Sequence, residues 1–370
     1  MTTAPAFAAD GPARWEIHPA TDFSRFRPQW DEVNAAAGGS PLLTSAFADL
    51  LLREFASGSE HLAIYRGRDR VEAVAILRRK SASFWETFQP SQAPVGLWIG
   101  RPEHDFASLA QRLLKDLPGL ALALGVTQQD PELRSRPPEG ATTATIDYID
   151  TARVRVAGSF DDYWAARGKN LRTNTKRQRS RLEKEGIELR LETLRDAESM
   201  AEAIADYGRL ESRGWKGTAG TAIHPDNAQG RFYRALLEDC CRRGRGRVFR
   251  YRYGDAVVAV DLCIENDEAD TIVILKTTYD ETIRDSSPAS LLRHEYFREL
   301  FDEGKIRRIE FYGKVMEWHT RLTDDTRTLY HANFYRWAAV ASLHRMLGRR
   351  ARVAEPALTE PSSDAADAKK

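Results

Sequence analysis

The sequence predicts an α+β fold, or a mixed α/β fold, made of two lobes of the same design. Short β-branched runs separated by turn residues are typical of antiparallel hairpins, and the amphipathic stretches after them are typical of helices. One order of elements, three strands followed by a helix and a further strand, occurs twice along the chain. We expect this repeat to reflect a duplication, the alternative being that a common β-meander recurs by chance.

The two copies of the repeat are well separated in the sequence. The first copy has predicted strands at 61–66, 71–78 and 83–88, a helix at 106–115 and a last strand at 119–124. The second copy has predicted strands at 247–253, 256–264 and 271–277, a helix at 288–302 and a last strand at 306–312. Asp69 and Asp255 fall in equivalent hairpin turns, and Gly304 suits the C-terminal cap of the second helix.

A boundary between the lobes is expected near residue 150. The Pro-Pro-Glu-Gly cluster at 137–140 breaks regular structure, and a new strand is predicted to begin around Arg153. Both ends of the chain are rich in small, polar and proline residues and are predicted to be disordered. The predicted organisation is a lead at 1–14, a first lobe at 15–150, a second lobe at 151–350 and a tail at 351–370.

Composition excludes several classes of protein. The chain of 370 residues has 55 basic and 54 acidic residues, so a globally basic nucleic-acid-binding protein is not indicated. Cys240, Cys241 and Cys263 form no CxxC pair, so neither a disulfide framework nor a metal site is expected. No apolar run reaches the roughly 18 residues of a membrane span, and no signal peptide is apparent. We therefore expect a cytoplasmic protein.

The start of the second helix is the first candidate for chemistry. Ser287 is predicted to be its N-cap and Pro288 its first residue. The N–H groups of a helix start, together with the hydroxyls of Ser286, Ser287 and Ser290, can hold a diphosphate. The alternative is an ordinary capped helix that binds nothing.

Five short motifs give the sequence a family resemblance. They are WKG at 215–217, RFYRALL at 231–237, LKTTYD at 275–280, SSPASLL at 286–292 and EFYG at 310–313. In this order they resemble the CelD-type acetyltransferases, a GNAT-like family associated with cellulose and exopolysaccharide biosynthesis. That family is similar to the Fem-type aminoacyl transferases, which also have two GNAT-like domains. The resemblance implies two tandem GNAT-like acyl-CoA N-acyltransferase lobes.

The resemblance also implies a donor site. Acetyl-CoA or another acyl-CoA would lie where the loop meets the helix, beside a splayed strand, and no metal is implied. The residues expected to bind it are Lys276, Ser286, Ser287, Ser290 and Leu291. Two positions depart from the family pattern, because Ala289 replaces a glycine and His319 stands where a lysine is common. In the first lobe, Glu103 and Asp105 precede the helix, so we expect that lobe to be a scaffold or an acceptor groove.

Three residues are candidates for proton transfer. Glu310, near the end of a predicted strand, is a candidate general base, the alternative being a carboxylate paired with Arg307 or Arg308. His319 is a second candidate base, the alternative being a packing residue beside a tryptophan. Tyr279 is expected to protonate the leaving thiolate, a role that the resemblance implies.

The acceptor is expected to contact Trp215, Lys216 and Asp280. The alternatives are that Trp215 closes the core and that Asp280 caps the loop. The acceptor itself is expected to be a small-molecule, sugar or lipid-linked compound.

Two further segments point to anionic partners. The stretch 167–186 contains eight basic and two acidic residues, which would attract tRNA, a nucleotide sugar or phospholipid, the alternative being an ordinary solvated helix. Nucleic acid is not the favoured partner, because aromatic residues are missing from this stretch. Residues 334–353 are predicted to form an amphipathic helix that packs on the second lobe or contacts a membrane surface.

The function predicted from these features is acyl-CoA-dependent acyl transfer, acetyl transfer above all, to an amino or hydroxyl group. The acceptor would be an exopolysaccharide or cell-envelope precursor. No serine or cysteine nucleophile motif is apparent, so transfer is expected to be direct. The alternatives are a Fem-type transferase that uses aminoacyl-tRNA and a non-catalytic scaffold in an exopolysaccharide complex.

Overall fold

A computed structural model describes residues 13–213 and 223–354, with side chains as far as residue 346. Within these residues, 13 strands form one mixed sheet with helices on both faces. The strands are β1 (Arg14–Pro19), β2 (His61–Arg66), β3 (Val71–Arg79), β4 (Phe84–Thr87), β5 (Trp98–Gly100), β6 (Ala123–Gln129), β7 (Thr143–Arg155), β8 (Leu189–Leu194), β9 (Gly246–Tyr253), β10 (Ala256–Glu265), β11 (Thr271–Tyr279), β12 (Arg308–Glu310) and β13 (Thr326–Tyr335). The helices are α1 (Arg27–Ala36), α2 (Ser45–Phe55), α3 (Phe106–Asp116), α4 (Phe160–Ala165), α5 (Lys169–Lys184), α6 (Met200–Arg213), α7 (Ala228–Arg242), α8 (Pro288–Glu303), α9 (Glu317–Thr320) and α10 (Ala338–Ala354).

The sheet runs without interruption through both halves of the chain. Its order is β1-β2-β3-β4-β6-β13-β7-β12-β11-β10-β9-β8, and β5 pairs with β3. The long strand β7 joins the halves, because it pairs first with β13 and then, at Arg153–Arg155, with β12. The last strand, β13, also pairs with β6 and so returns to the first half. The boundary predicted near residue 150 falls inside β7.

The repeat predicted from the sequence is present as a repeat of topology. In the first copy, β3 pairs antiparallel with β4, and β4 pairs in parallel with β6 after α3. In the second copy, β10 pairs antiparallel with β11, and β11 pairs in parallel with β12 after α8. Gln128, near the end of β6, and Tyr312, two residues after β12, both have a φ of 47°. The predicted mixed α/β class is confirmed.

Apolar clusters on the two faces hold the helices on the sheet. One cluster spans both halves and joins α1, α2, α6 and α7 to one face, with Phe47 and Phe232 packed edge to face at 5.5 Å. On the other face, α8 packs over the second copy through Tyr296 and Phe297, and α3 packs over the first copy through Leu113. Burying each such large side chain contributes roughly 1.5–3 kcal/mol. The shared cluster fixes the two halves relative to each other.

Most predicted elements of the two copies are present, with shifted ends at two of them. The last strand of the first copy is Ala123–Gln129 rather than 119–124, and that of the second copy is Arg308–Glu310 rather than 306–312. The helix of the second copy begins at Pro288, and Gly304 ends it in the left-handed conformation, as predicted. No helix in the described parts of the chain combines the length and apolar character that crossing a bilayer requires.

Candidate active site

The pocket of interest opens where β11 separates from β12. These strands pair only at Thr271–Val273, and β11 then continues to Tyr279 beside β10 alone. The resulting gap holds a pocket of about 460 Å³. It is lined by Glu211, Thr277, Thr278, Tyr279, Glu281, Arg284, Ser287, Pro288, Ala289, Ser290, Arg293, Met316 and Trp318. The pocket therefore joins the end of β11, the start of α8 and the segment after β12.

The start of α8 presents an unsatisfied donor to this pocket. Ser287 is the N-cap residue, as predicted, but its backbone is left-handed and its side chain caps nothing. Its carbonyl oxygen accepts hydrogen bonds from the N–H groups of Ser290 (3.0 Å) and Leu291 (3.1 Å). Pro288 has no N–H group. The N–H of Ala289 consequently has no hydrogen-bond partner in the described part of the chain, which suits it for an anionic ligand.

The predicted donor-binding residues around this turn fall into two groups. Ser287 and Ser290 line the pocket, together with the exposed Arg284. Ser286 and Leu291 are buried beneath the turn and do not line it. The Ser286 hydroxyl donates to the carbonyl oxygen of Ile283 at 2.7 Å and so stabilises the turn from inside.

A buried guanidinium forms one wall of the pocket. Arg293 extends from α8, and its Nε lies 3.3 Å from Oδ2 of the fully buried Asp261. It also donates to the hydroxyl of Thr277 and stacks 4.0 Å from the centroid of the Trp318 ring. Tyr296 donates to the same Asp261 oxygen at 2.9 Å. The network fixes a positive charge beside the pocket. The sequence signal for it was an arginine within the apolar, buried face of a helix.

A buried carboxylate faces the pocket from the other side of the sheet. Glu211, in the last turn of α6, lines the pocket and is only 5% exposed. It accepts hydrogen bonds from the N–H of Ile223 at 2.7 Å and the hydroxyl of Tyr207 at 3.4 Å. Sequence reasoning missed Glu211, although it stands four residues before the WKG motif. Trp215 and Lys216 of that motif, both predicted to bind the acceptor, lie outside the described residues.

Glu310 does not line this pocket. It lines a separate pocket of about 160 Å³ between the two halves of the chain. Its carboxylate is 2.9 Å from Arg327 and 4.0 Å from Arg153, rather than paired with Arg307 or Arg308. Burial raises the pKa of Glu310, and the positive charge of Arg327 opposes that rise. The predicted role as general base stays a prediction, and the position favours a role in holding the halves together.

His319 is buried and already has a partner. Its Nδ1 accepts a hydrogen bond from the N–H of Met316 at 2.9 Å, and its ring stacks on Trp318 at 3.5 Å. Burial, reinforced by the charge of Arg293, lowers the pKa of His319 to about 4. The ring is therefore neutral at pH 7 and only a weak base. Its position favours the packing alternative.

The remaining predicted residues divide between the pocket and its surroundings. Tyr279 lines the pocket. Lys276 does not line the pocket. Its Nζ lies 5.7 Å from the centroid of the Tyr233 ring, which belongs to α7. Asp280 caps the 3₁₀ segment that precedes α8, accepting from the N–H of Thr282 at 3.0 Å. This contact corresponds to the alternative prediction, in which Asp280 caps the loop rather than contacting the acceptor.

The equivalent place in the first copy is closed. The Asp105 carboxylate caps α3 by accepting from the N–H of Ser108 at 2.7 Å. Beyond the paired part of β4 and β6, the hydroxyls of Thr87 and Thr127 lie 2.6 Å apart and bridge the strands. Among residues 13–213 and 223–354, moreover, no group of His, Cys, Asp or Glu could hold a metal ion.

Comparison with known proteins finds a domain-family match within the second half of the chain. Residues 169–320 match the profile of the acetyltransferase (GNAT) domain. No curated protein matches the chain. The match contains the whole of the pocket described above and confirms that the protein is an acyltransferase. The CelD-type family stays a prediction.

Solved structures resemble the chain over nearly its whole length. The C-terminal domain of a candidate lysylphosphatidylglycerol synthetase from Agrobacterium fabrum has a TM-score of 0.55 at 13% identity, covering 90% of this chain and 96% of that one. FemX has a TM-score of 0.54 at 9% identity, covering 87% and 98%. The lysylphosphatidylglycerol synthetase L-PGS from Bacillus licheniformis has a TM-score of 0.50 at 14% identity, covering 87% and 97%. At these identities the likeness shows a shared fold.

Proposed function

We propose that the protein transfers an acyl group, acetyl above all, from acyl-CoA to an amino or hydroxyl group of an exopolysaccharide or cell-envelope precursor. The observation that carries the proposal is the pocket between β11 and β12. Ala289, whose N–H has no partner among the described residues, lines one end of it, and a buried carboxylate and a buried guanidinium line it from opposite sides of the sheet. Its location within the matched GNAT domain supports the same conclusion.

The donor would bind with its diphosphate at the start of α8. The Ala289 N–H and the hydroxyls of Ser287 and Ser290 would donate to the phosphate oxygens, and the dipole of α8 would favour their charge. Arg284 would add a positive charge at the mouth of the pocket. From there the donor would extend into the gap between the strands, which brings the thioester towards Arg293.

Glu211 would be the general base in this arrangement. It would accept a proton from the amine or hydroxyl of the acceptor, which then attacks the thioester carbonyl. The new C–N or C–O bond forms as the C–S bond breaks. Because Glu211 is fixed by Tyr207 and by the N–H of Ile223, its carboxylate is held in place before the acceptor arrives.

Arg293 and Tyr279 would stabilise the charges that develop during the reaction. Attack on the thioester gives a tetrahedral intermediate in which the former carbonyl oxygen is negatively charged. A buried, prepositioned cation stabilises this charge more strongly than water does. The guanidinium is held by Asp261 and Thr277, so it needs no rearrangement. Tyr279 would donate its proton to the leaving thiolate, the role that the family resemblance implies.

An acyl-transfer assay with purified protein tests the proposal. Acetyl-CoA and a panel of amino and hydroxyl acceptors, including amino sugars, would be incubated with the enzyme, and release of free thiol would be followed. We expect thiol release that depends on acceptor and is lost in Arg293→Gln. An Arg298→Gln variant, on the same helix but outside the pocket, serves as the matched control. Failure to bind any acyl-CoA would instead favour the non-catalytic scaffold.

A second candidate, transfer from aminoacyl-tRNA, is favoured by the surface of α5. Lys169, Lys176 and Arg177 are exposed on this helix, which packs against α8. The likeness of the fold to FemX is compatible with this candidate. A charged tRNA donor would make activity sensitive to ribonuclease and to salt. An activity with acetyl-CoA that ribonuclease leaves unchanged would exclude it.

A further inference from the structure

The apolar side chains left on the surface are concentrated on one side of the molecule. Seven large apolar side chains are exposed in the described parts of the chain. Five of them belong to β7, to α10 or to the residue just before α10: Ile146, Tyr148, Trp337, Leu343 and Met346. Single exposed apolar residues are common on proteins, whereas a cluster of them marks an interaction surface.

These residues lie on one face of the sheet. Ala144 of β7 packs in the same small cluster as Tyr335 and Ala341, which places α10 over this face. Side chains two residues apart along a strand point to the same face, so Ile146 and Tyr148 continue the surface from Ala144. The first turn of α10 packs on this face through Val340 and Ala341.

The helix α10 turns apolar side chains away from the protein. Ala341 is buried, and Nδ1 of His344 lies 2.8 Å from the hydroxyl of Tyr335, so this side of the helix rests on β13. Leu343 and Met346, three residues apart, lie on the opposite side and are 58% and 59% exposed. Trp337, just before the helix, is 52% exposed. In a helix that packs only on its own protein, these positions would be polar.

The charged residues of α10 are all basic. Its sequence, residues 338–354, contains four arginines and no acidic residue, although the whole chain has a net charge of only +1. Arg345 is exposed next to Met346. A helix that combines arginines with exposed leucine, methionine and tryptophan is typical of segments that lie in the interface of a bilayer. Tryptophan in particular prefers the level of the lipid headgroups.

We propose that α10, Trp337 and the adjoining part of β7 form a surface that binds an anionic phospholipid bilayer. Leu343, Met346 and Trp337 enter the interface, and Arg345 contacts a lipid phosphate. The concentration of positive charge favours an anionic bilayer over a second copy of the chain, since two such helices would repel each other. The binding does not depend on the proposed acyl transfer, although it would hold the enzyme near lipid-linked acceptors.

Cosedimentation of the full chain with vesicles tests the proposal. Vesicles of equal parts phosphatidylcholine and phosphatidylglycerol would be compared with vesicles of phosphatidylcholine alone. We expect the protein to bind the anionic vesicles, and to bind vesicles of phosphatidylcholine alone at least about tenfold more weakly. The double variant Leu343→Asp, Met346→Asp should abolish it, and Arg345→Gln should weaken it. Both variants change exposed residues, and an unchanged melting temperature would show that they fold.

A matched control uses the other basic helix. Lys176→Gln combined with Arg177→Gln removes two exposed charges from α5, where no large apolar side chain is exposed. This variant should bind anionic vesicles like the wild type. The proposal is overturned if the wild type does not bind vesicles, or if Leu343→Asp, Met346→Asp leaves binding intact. It is also overturned if these substitutions only split a dimer, measured by light scattering.

Discussion

The two copies of the repeat have the same topology but differ where a donor would bind. In the first copy, Thr87 and Thr127 bridge the diverging strands, and the Asp105 carboxylate occupies the helix start. In the second copy the strands diverge around a pocket, and Ser287 leaves the helix start uncapped by any side chain. The difference lies in a few side chains and in the backbone at the helix start, which is extended at Asp105 and left-handed at Ser287.

In our proposal, one fold supports both a scaffold and a site. A carboxylate at a helix N-terminus satisfies N–H groups and stabilises the protein, but it also repels a phosphate. Ser287, with a φ of 54°, accepts a less favourable backbone conformation and leaves the Ala289 N–H available. Strained backbone of this kind is common at functional sites. The helix start of the first copy favours stability, and in our proposal that of the second favours binding.

The largest expected effect comes from Glu211→Gln, which changes the second copy alone. If Glu211 is the general base, kcat should fall about 10²–10⁴-fold, while the affinity for acyl-CoA stays the same. Steady-state kinetics and calorimetry measure the two quantities. Glu202→Gln, on the exposed side of the same helix α6, is the control and should change kcat by no more than about twofold. An unchanged kcat in Glu211→Gln would remove Glu211 from the mechanism.

The next effect concerns the contact between the halves. Glu310→Ala should lower the free energy of unfolding by about 3 kcal/mol, because it leaves the buried Arg327 with an incomplete set of partners. Binding of acyl-CoA should be unchanged. Denaturant unfolding gives the first quantity and calorimetry the second. Full stability combined with a large loss of kcat would instead restore Glu310 as the general base.

A smaller effect is expected from the buried histidine of the second copy. The pKa of His319 falls from its ordinary value of 6.5 to about 4 in the folded protein. The unfolded chain therefore takes up a proton first, and stability present above pH 6.5 is lost as the pH falls towards 4. The loss is up to about 3 kcal/mol, at about 1.4 kcal/mol per pKa unit.

Unfolding experiments at several pH values check this expectation. His319→Gln should flatten the decline between pH 6.5 and 4, whereas His224→Gln, at an exposed position, should not. If the pH dependence of stability is identical in wild type and His319→Gln, folding does not lower the pKa of His319.

The smallest effect is expected in the first copy. Asp105→Ala removes the side-chain cap of α3 and should lower the free energy of unfolding by about 1 kcal/mol. Since this copy holds no donor in our account, kcat should not change. A loss of activity without a loss of stability would indicate that the first copy takes part in the reaction.

Local sequence patterns predicted much of the second copy. The spacing of apolar residues and the Ser-Pro pair placed α8 correctly, and Gly304 marked its end. Ser287, named from the Ser-Pro pair, and Tyr279, named from the family resemblance, both line the pocket. These features depend on neighbours in the sequence, which a single chain displays.

Features that depend on distant contacts were missed. Glu211 and Arg293 reach the pocket only because α6 and α8 pack on opposite faces of the sheet. Glu310 lies in the middle of the sheet because β12 pairs with β7. Since β7 also pairs with β13, Arg327 of β13 comes to lie beside Glu310. The strand Ala123–Gln129 was misplaced because its polar end, including Thr127, is satisfied by hydrogen bonds across the sheet.

One measurement tests the central claim that only the second copy binds the donor. Calorimetry with acetyl-CoA should give one site per chain in the wild type and in Asp105→Ala. Ser287→Asp would give the second copy the helix-start carboxylate of the first and should weaken binding by about 100-fold or more. Ser287→Asn is the matched control, since asparagine tolerates the same left-handed backbone without the charge. Two sites per chain, or equal binding by Ser287→Asp and Ser287→Asn, would contradict the account.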